Sequence, residues 1–258
     1  MLGLYTPEKM SSNSSGNSMS KSLVSIKEIP ALILCGGKGT RLRSVLNDRP
    51  KSLAITLGQP FITLLLSKVK SLGFEKAILC TGHLGDQIKV AIGNEFQDLS
   101  VLYSHETQPL GTGGAIMQAS RTHDLKEFFV FNGDSYPHIT KPEIELMAKC
   151  DVSCVLGTRV LDASSFGSFE IDEHSMVTEF KEKDASLKAE AKLVNAGVYY
   201  FRSCDLERFA KARALSLENE ILPSLSQHRT LKASLTTADF VDIGTPERLR
   251  NADDLIGR

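Results

Sequence analysis

The sequence predicts an α/β fold in three layers, with a mixed, mostly parallel sheet between helices and a small, partly antiparallel lobe. From residue 31 to about 160, apolar runs typical of buried strands alternate with stretches whose apolar residues recur at helical spacing. After about residue 160 the apolar runs become shorter and alternate with polar residues. That change indicates a smaller subdomain with antiparallel pairing.

The first half is expected to contain five strands and four helices. The fourth predicted helix begins at Thr140, which can cap a helix, and carries Pro142 in its first turn. The helix predicted at 60–72 ends before Gly73, and glycine is the residue type that most often follows the end of a helix. The predicted strands are 31–35, 76–80, 99–103, 128–131 and 152–158, and the predicted helices are 60–72, 85–92, 113–120 and 140–149.

The second half is expected to leave the sheet and then return to it. Shorter strands are predicted at 169–171, 177–180 and 194–201, and returning strands at 231–235 and 240–243. Thr245-Pro246-Glu247 places a cap, a proline and an acidic residue in the order that favours the start of a final helix. Residues 11–20 read SSNSSGNSMS, so residues 1–28 are expected to be a flexible tail and residues 29–258 one domain.

Composition excludes several classes of protein. The net charge of −1 provides no global basic field for nucleic acid, and no run of about 18 apolar residues predicts a membrane span. The five cysteines are odd in number and lie mostly in apolar segments, which favours a reducing, cytoplasmic location. Cys150 and Cys154 are interpreted as packed thiols because no second pair or histidine has metal-ligand spacing.

A glycine-rich, basic loop, LCGGKGTRLR at 34–43, follows the first predicted strand. Glycines at this edge of an α/β sheet let backbone N–H groups approach a phosphate. Lys38 is followed by Gly39 instead of Ser or Thr, and Leu42 stands where a dinucleotide fingerprint needs glycine. Both common phosphate-loop patterns therefore fail by one position, and a nicotinamide dehydrogenase is disfavoured. An ordinary glycine turn with solvated arginines remains open for the loop alone.

The loop and several later stretches together resemble the sugar-1-phosphate nucleotidyltransferases, over roughly residue 30 to the end. The resemblance implies a Rossmann-like fold and a reaction in which a sugar 1-phosphate oxygen attacks the α-phosphorus of a nucleoside triphosphate and pyrophosphate leaves. It also implies a nucleotide-binding part at 29–160, a sugar-binding part at 161–230 and a return to the main sheet at 231–258. The stretches are GGKGTRLR at 36–43 with RPK at 49–51, LGTGGA at 110–115, NGD at 132–134, FKEK at 180–183, NAGV at 195–198 and DIGTP at 242–246.

The resemblance assigns catalytic roles to Arg41, Lys51 and Asp134. Arg41 would face the leaving pyrophosphate, Lys51 would stabilise charge at the α-phosphate, and Asp134 with Asp242 would bind Mg²⁺ as the cofactor. Carboxylates are suitable hard ligands for this ion. Asp134 and Asp242 could instead cap turns, and Lys51 could be a solvated loop charge.

The resemblance also implies two sets of binding residues. A charged surface run remains the alternative reading of Glu182 and Lys183, because 179–184 is rich in both signs. The nucleotide set is Leu34, Gly36, Gly37, Gly39, Thr40, Arg41, Glu106, Gly111, Thr112 and Gly113, with the glycines at 111–114 expected to pass close to a flat base. The sugar-phosphate set is Gly167, Glu182, Lys183, Asn195 and Gly197.

Glu106 gives a physical argument for GTP. A carboxylate can accept hydrogen bonds from both N1–H and the exocyclic amine of guanine, whereas uracil and thymine offer one ring N–H flanked by carbonyls. A solvent-facing loop position is the alternative for this residue.

Within the family, the pattern most resembles guanylyltransferases that act on D-glycero-D-manno-heptose 1-phosphate, whose products are activated sugars for surface polysaccharide. Cys35 replaces a usual alanine, Ser52 a frequent proline and Phe166 an expected tyrosine, so mannose or another hexose 1-phosphate stays open as the acceptor. A UTP- or dTTP-dependent hexose-1-phosphate enzyme and a non-catalytic sugar-nucleotide sensor are the remaining alternatives. A homo-oligomer is compatible with the sequence.

Overall fold

The computed structural model describes residues 25–37, 42, 46, 49–183, 191–210 and 214–257. In chain order the strands are β1 (Ala31–Leu34), β2 (Ile55–Thr56), β3 (Gln59–Pro60), β4 (Lys76–Thr81), β5 (Glu95–Phe96), β6 (Leu99–His105), β7 (Glu127–Asn132), β8 (Ser135–Pro137), β9 (Ser153–Val160), β10 (Ser168–Ile171), β11 (Val177–Lys181), β12 (Lys192–Arg202), β13 (Leu231–Thr236) and β14 (Phe240–Asp242).

The helices lie between these strands. They are α1 (Phe61–Ser71), α2 (Gly85–Ile92), α3 (Gly111–Thr122), α4 (Lys141–Ala148), α5 (Ser203–Leu206), α6 (Leu222–Gln227) and α7 (Pro246–Ile256). Shorter turns are the 3₁₀ segments Ile26–Glu28, Lys51–Leu53 and Glu207–Phe209, and a π-helical turn at Leu217–Ile221.

The main sheet is mixed, with parallel strands at its centre. Its order is β11-β10-β12-β7-β1-β4-β6-β5, and β9 joins β12 to β13. Strands β7, β1, β4 and β6 are parallel neighbours, whereas β12 is antiparallel to both β7 and β9. The central strands read as continuous apolar runs because helices cover both faces. The predicted fold class is therefore confirmed.

Alternation along β1 shows how the three layers form. Leu32 faces a core that it shares with Ile116 of α3 and Leu225 of α6. Ile33 faces the opposite core, which it shares with Leu65 of α1 and Ile144 of α4. Each central strand thus packs against helices on both sides of the sheet.

Predicted elements agree with the structure to within a few residues, and the differences have local causes. Helix α3 begins at Gly111, two residues before the predicted start at 113, because Gly111 already forms part of its first turn. Ile26, which the prediction counts with the N-terminal tail, is 4% exposed and belongs to the core. The turn at Leu217–Ile221 was not predicted. In the part of the chain that the structure describes, no helix combines the length and apolar character needed to cross a membrane.

Candidate functional site

A cavity of about 580 Å³ opens where the carboxyl ends of the central parallel strands meet. Parallel strands bring the segments that follow β1, β4 and β6 to one edge of the sheet, and α3 closes the other side. Most of the predicted nucleotide residues that are described line this cavity. Its lining residues are Leu34, Gly36, Gly37, Cys80, Gly82, His83, His105, Glu106, Thr107, Gln108, Pro109, Gly111, Thr112 and Ala115.

Glu106 forms part of the cavity wall and is not a solvent-facing loop residue. Its backbone N–H donates to the Thr81 carbonyl at 2.8 Å, which continues the strand geometry past β6. Its carboxylate accepts from the Leu110 N–H at 3.0 Å. A methyl group at Gly82 would lie 2.5 Å from Glu106 Oε1, so the bare backbone there makes room for the carboxylate.

Two thiols at this edge are chemically inert. Burial, assisted by the charge of Glu106, raises the pKa of Cys80 to about 12. Burial also raises the pKa of Cys35, with smaller contributions from Cys80 and Asp134. Both groups are therefore neutral near pH 7, and neither provides a thiolate nucleophile.

The glycines at 111–114 pack against Leu215. The N–H groups of Gly113 and Gly114 donate to the Leu215 carbonyl at 2.9 and 3.2 Å. A methyl group at Gly113 would meet Ile221 Cδ1 at 2.7 Å, and one at Gly111, whose φ is +72°, would lie 2.4 Å from Leu215 O. The glycines let residues 214–218 approach α3 closely. Gly111 also lines the first cavity, and the nucleotide contact of Gly113 stays a prediction.

A second, polar cavity of about 250 Å³ contains every predicted sugar-phosphate residue. A smaller space of about 180 Å³ connects the two cavities: it shares Leu34, Gly36 and Thr112 with the first, and Lys51, Asp134 and Glu218 with the second. The polar cavity is lined by Lys51, Asn132, Asp134, Ser135, Ser165, Phe166, Gly167, Glu182, Lys183, Asn195, Gly197, Glu218, Phe240, Asp242, Gly244, Thr245 and Arg248.

Lys51 and Asp134 meet at the junction. Lys51 lies in a short 3₁₀ turn directly after Pro50, and its Nζ is 2.6 Å from Asp134 Oδ2. The lysine side chain is only 22% exposed, so it is not a solvated loop charge. The turn directs its ammonium group into the space between the two cavities.

Asp242 is brought beside Asp134 by antiparallel pairing of β14 with β8. Asp242 lies opposite Ser135, and the Ile243 N–H donates to the Asp134 carbonyl at 2.9 Å. Asp242 Oδ1 accepts from Gly244 N–H at 2.7 Å and from Arg248 Nη1 at 3.0 Å. The residue therefore does cap a turn, as the alternative reading expected, and it lines the polar cavity as well.

Two adjacent carboxylates form a donor set that fits a magnesium ion. Mg²⁺ is commonly held by one or two carboxylates while water and substrate phosphates complete its octahedron. The described residues contain no cluster of three or more acidic, histidine or cysteine groups that could hold a metal alone. Lys51 and Arg248 are the cations that balance the two carboxylates here.

The predicted sugar-phosphate residues lie on β12, after β11 and, for Gly167, just before β10. The Asn195 amide is fixed at both ends, since Oδ1 accepts from Gly197 N–H at 2.9 Å and Nδ2 donates to the Tyr199 hydroxyl. Lys183 Nζ lies 3.8 Å from Glu182 Oε1, and both side chains are a little under half exposed in the cavity wall.

Sequence reasoning missed two charged residues of the polar cavity. Arg248 of α7 pairs with Asp242 and lies over the Phe166 ring, 4.8 Å from its centroid. A basic residue in the first turn of an exposed helix carries no sequence signal of this role. Glu218 lies in the stretch SLE at 216–218, to which the sequence analysis assigned no function. The predicted Gly39, Thr40 and Arg41 fall outside the described residues.

Known proteins are similar to this chain over most of its length. A heptose 1-phosphate guanylyltransferase of Campylobacter jejuni (D-glycero-alpha-D-manno series) is 32% identical over 84% of this chain and 95% of its own length. A mannose-1-phosphate guanylyltransferase of Mycobacterium tuberculosis is 32% identical over 89% of this chain, which spans 65% of that protein.

Solved structures give the same result. The crystal structure of HddC from Yersinia pseudotuberculosis superimposes with a TM-score of 0.76 at 30% identity, covering 88% of this chain and 99% of that one. The same protein has been solved as a complex with GMP-PN. The pattern of the nucleotidyl transferase family matches residues 30–257. With its central parallel strands, its two joined cavities and this match over nearly the whole length, the chain belongs to the nucleotidyl transferase family.

Proposed function

We propose that the protein transfers a guanylyl group from GTP to a sugar 1-phosphate, with a D-glycero-D-manno-heptose 1-phosphate as the favoured acceptor, and releases pyrophosphate. The observation that supports this proposal most directly is the small space that joins the 580 Å³ cavity to the polar cavity. Lys51 and Asp134 line both this junction and the polar cavity. Two substrates that must meet end to end, a nucleotide and a sugar phosphate, suit two cavities joined at a charged point. The relatives' guanylyltransferase activity supports this choice.

The chemistry consists mainly of positioning and charge neutralisation. An oxygen of the sugar 1-phosphate attacks the α-phosphorus, a new P–O bond forms, and the bond to the β-phosphate oxygen breaks as pyrophosphate leaves. Lys51 is placed to hold negative charge at the junction, and Arg41 is proposed to bind the phosphates that leave. A binding site that orients both reactants removes much of the entropic part of the barrier.

Asp134 and Asp242 would hold Mg²⁺ between them. When bound, the ion would supply positive charge that neutralises charge developing on the phosphates. Lys51 and Arg248, which pair with these carboxylates, are placed to contribute positive charge in the same cavity. The product would be an activated sugar for surface polysaccharide, made in the cytoplasm.

Base selection is proposed to depend on Glu106 and on the bare backbone of Gly82. Gly82→Ala would push the flexible Glu106 side chain aside, since its methyl group would lie 2.5 Å from Oε1. We expect Gly82→Ala and Glu106→Gln each to reduce the ratio of kcat/KM for GTP to that for UTP by roughly tenfold or more, because a hydrogen-bonded charge no longer meets guanine. Thermal unfolding should be nearly unchanged, because only the end of a side chain moves.

The control is Gly37→Ala, which lines the same cavity. Its φ of +112° makes alanine strained there, but nothing lies within 4 Å of the added methyl group, so Glu106 is not displaced. This variant should alter kcat/KM for GTP and UTP by the same factor, because it lies away from Glu106. An unchanged GTP-to-UTP ratio in both Gly82→Ala and Glu106→Gln would remove the argument for guanine.

Pyrophosphate release tests the proposed function directly. Purified protein with Mg²⁺ is crossed with GTP, UTP, dTTP, CTP and ATP against heptose, mannose and glucose 1-phosphates. We expect the highest kcat/KM with GTP and the heptose phosphate. Preference for another pair would keep the family reaction and correct the substrate. Nucleotide binding without pyrophosphate release from any pair would favour the sensor alternative.

A further inference from the structure

Residues 214–218 run from the start of α3 to the wall of the polar cavity. Their backbone is bound tightly to the start of α3: Leu215 N–H donates to the Leu110 carbonyl at 2.7 Å, and the Leu215 carbonyl accepts from two glycine N–H groups. Leu217 N–H donates to Thr112 Oγ1 at 2.9 Å. We call residues 214–218 the strap. The strap is held to α3 by these hydrogen bonds, so its position depends on that helix.

The strap ends in a π-helical turn that places Glu218 in the wall of the polar cavity. Turns of this kind are uncommon and frequently lie at functional sites. Ser216 stabilises the turn, since its Oγ accepts from the Asn219 N–H at 3.0 Å. Glu218 also lines the junction between the two cavities, and Thr112 lines the junction and the nucleotide cavity.

The two side chains are hydrogen-bonded to each other. Thr112 Oγ1 donates to Glu218 Oε2 at 3.1 Å, while the same hydroxyl oxygen accepts from Leu217. A carboxylate has about four acceptor positions, so this bond leaves Glu218 able to accept from a ligand. A threonine that lines the nucleotide cavity therefore orients a carboxylate that lines the sugar cavity.

The surroundings of Glu218 suit a polyhydroxylated ligand. Glu182 and Lys183, which line the same cavity, are close enough to act electrostatically on Glu218. Burial raises the pKa of Glu218, and the nearby Glu182 charge adds to that increase, while Thr112 and Lys183 act against it. Keeping a carboxylate in such a place costs stability, which is a common feature of functional sites.

We propose that Glu218 is a specificity-determining residue whose carboxylate accepts hydrogen bonds from hydroxyl groups of the sugar 1-phosphate, and that Thr112 positions it from the nucleotide side. This inference rests on the proposed function and deepens it. Sugar hydroxyls are donors, so two acidic residues, Glu218 and Glu182, can bind them at two points. Lys183 supplies the cation that a phosphate needs.

Steady-state kinetics of four variants test the role of Glu218. We expect Glu218→Gln to raise KM for the sugar 1-phosphate roughly tenfold or more and to reduce discrimination between heptose and mannose phosphates, while the Kd for GTP stays within about twofold. Thr112→Val should raise the same KM and Thr112→Ser should rescue it. The double variant should be no worse than Glu218→Gln, because both changes remove one interaction. Glu173→Gln, on an exposed turn, is the charge-matched control.

Thermal unfolding at two pH values separates a binding role of Glu218 from a structural one, because the two roles predict changes in Tm of opposite sign. A carboxyl whose folded-state pKa is raised destabilises the fold as pH rises through that pKa. Glu218→Gln should therefore raise Tm at pH 7.5 and change it less at pH 4, which lies below the ordinary pKa of a glutamate. Tm below wild type at both pH values, with the KM for the sugar unchanged, would show that Glu218 only supports the strap.

Failure of the proposed function and failure of this inference about Glu218 give different results. Wild-type protein that releases no pyrophosphate from any substrate pair would overturn the proposed function and this inference with it. Active wild-type protein whose sugar KM and heptose-to-mannose ratio are the same in Glu218→Gln would overturn this inference alone.

Discussion

Asp134→Asn is expected to lower kcat/KM for pyrophosphate release by a factor on the order of 10²–10³, the range seen when one charge-stabilising group is removed from an active site. Asparagine keeps the shape of the side chain but removes the charge that would bind Mg²⁺ and that pairs with Lys51 at 2.6 Å. The partly exposed ion pair contributes little to folding, so the free energy of unfolding should change by about 1 kcal/mol or less. Initial rates across a Mg²⁺ titration, with urea unfolding of the same preparation, check both statements.

The control for this variant is Asp124→Asn. Asp124 also pairs with a lysine, Lys126, at 2.9 Å, but both side chains are highly exposed and neither lines the two cavities or their junction. It should leave kcat/KM within about twofold of wild type. If Asp134→Asn kept activity within tenfold of wild type at every Mg²⁺ concentration, the proposed metal role of Asp134 would be wrong.

Gly111→Ala is expected to lower the free energy of unfolding by about 3 kcal/mol and to weaken sugar-phosphate binding. Two costs add: alanine pays about 1–2 kcal/mol in the left-handed region, and a methyl group forced against packed backbone costs about 1–3 kcal/mol. The φ of Gly111 is +72° and the added Cβ would lie 2.4 Å from the Leu215 carbonyl oxygen. The strap must move away, and Glu218 moves with it. Urea unfolding and the KM for the sugar 1-phosphate measure the two effects.

Gly58→Ala separates the two costs. Gly58 lies in the β2–β3 turn with φ of +74°, close to that of Gly111, and nothing lies within 4 Å of an added methyl group. It should lose only about 1–2 kcal/mol and keep its KM for the sugar. Equal losses in the two variants would mean that the strap tolerates the methyl group and that close packing against Leu215 is unimportant.

Much of the fold could be predicted because the central strands are apolar runs that helices cover on both faces. The same reasoning could not find β2, β5 or β8, which have only two or three residues and too little pattern to detect. It also missed the π-helical turn at Leu217–Ile221, because such turns are rare and carry no periodic sequence pattern.

The candidate site was predictable where residue type and strand position agree. Asp134 lies two residues after β7, so its place at the carboxyl edge of the main sheet follows from the order of elements. Asp242 ends β14, which was predicted to return to the main sheet but pairs with β8 in a separate two-stranded sheet. Arg248 and Glu218 were not predictable, because each acquires its role only through a partner far away in sequence, Phe166 and Thr112. The glycines at 111–114 were detected by sequence, but their purpose required the position of Leu215.

The antiparallel strand β12 has a consequence for how the chain is synthesised. Its last five residues, Val198–Arg202, pair with β7, the Phe-rich strand that forms one side of the central parallel group. Arg202, the last residue of β12, is 70 positions after Asn132, the last residue of β7. At a synthesis rate of roughly 5–20 residues per second, the edge of β7 stays unpaired for several seconds on the ribosome. An apolar strand edge of this kind is a template for wrong pairing, so the nascent chain is most vulnerable to aggregation during that interval, before β12 has emerged.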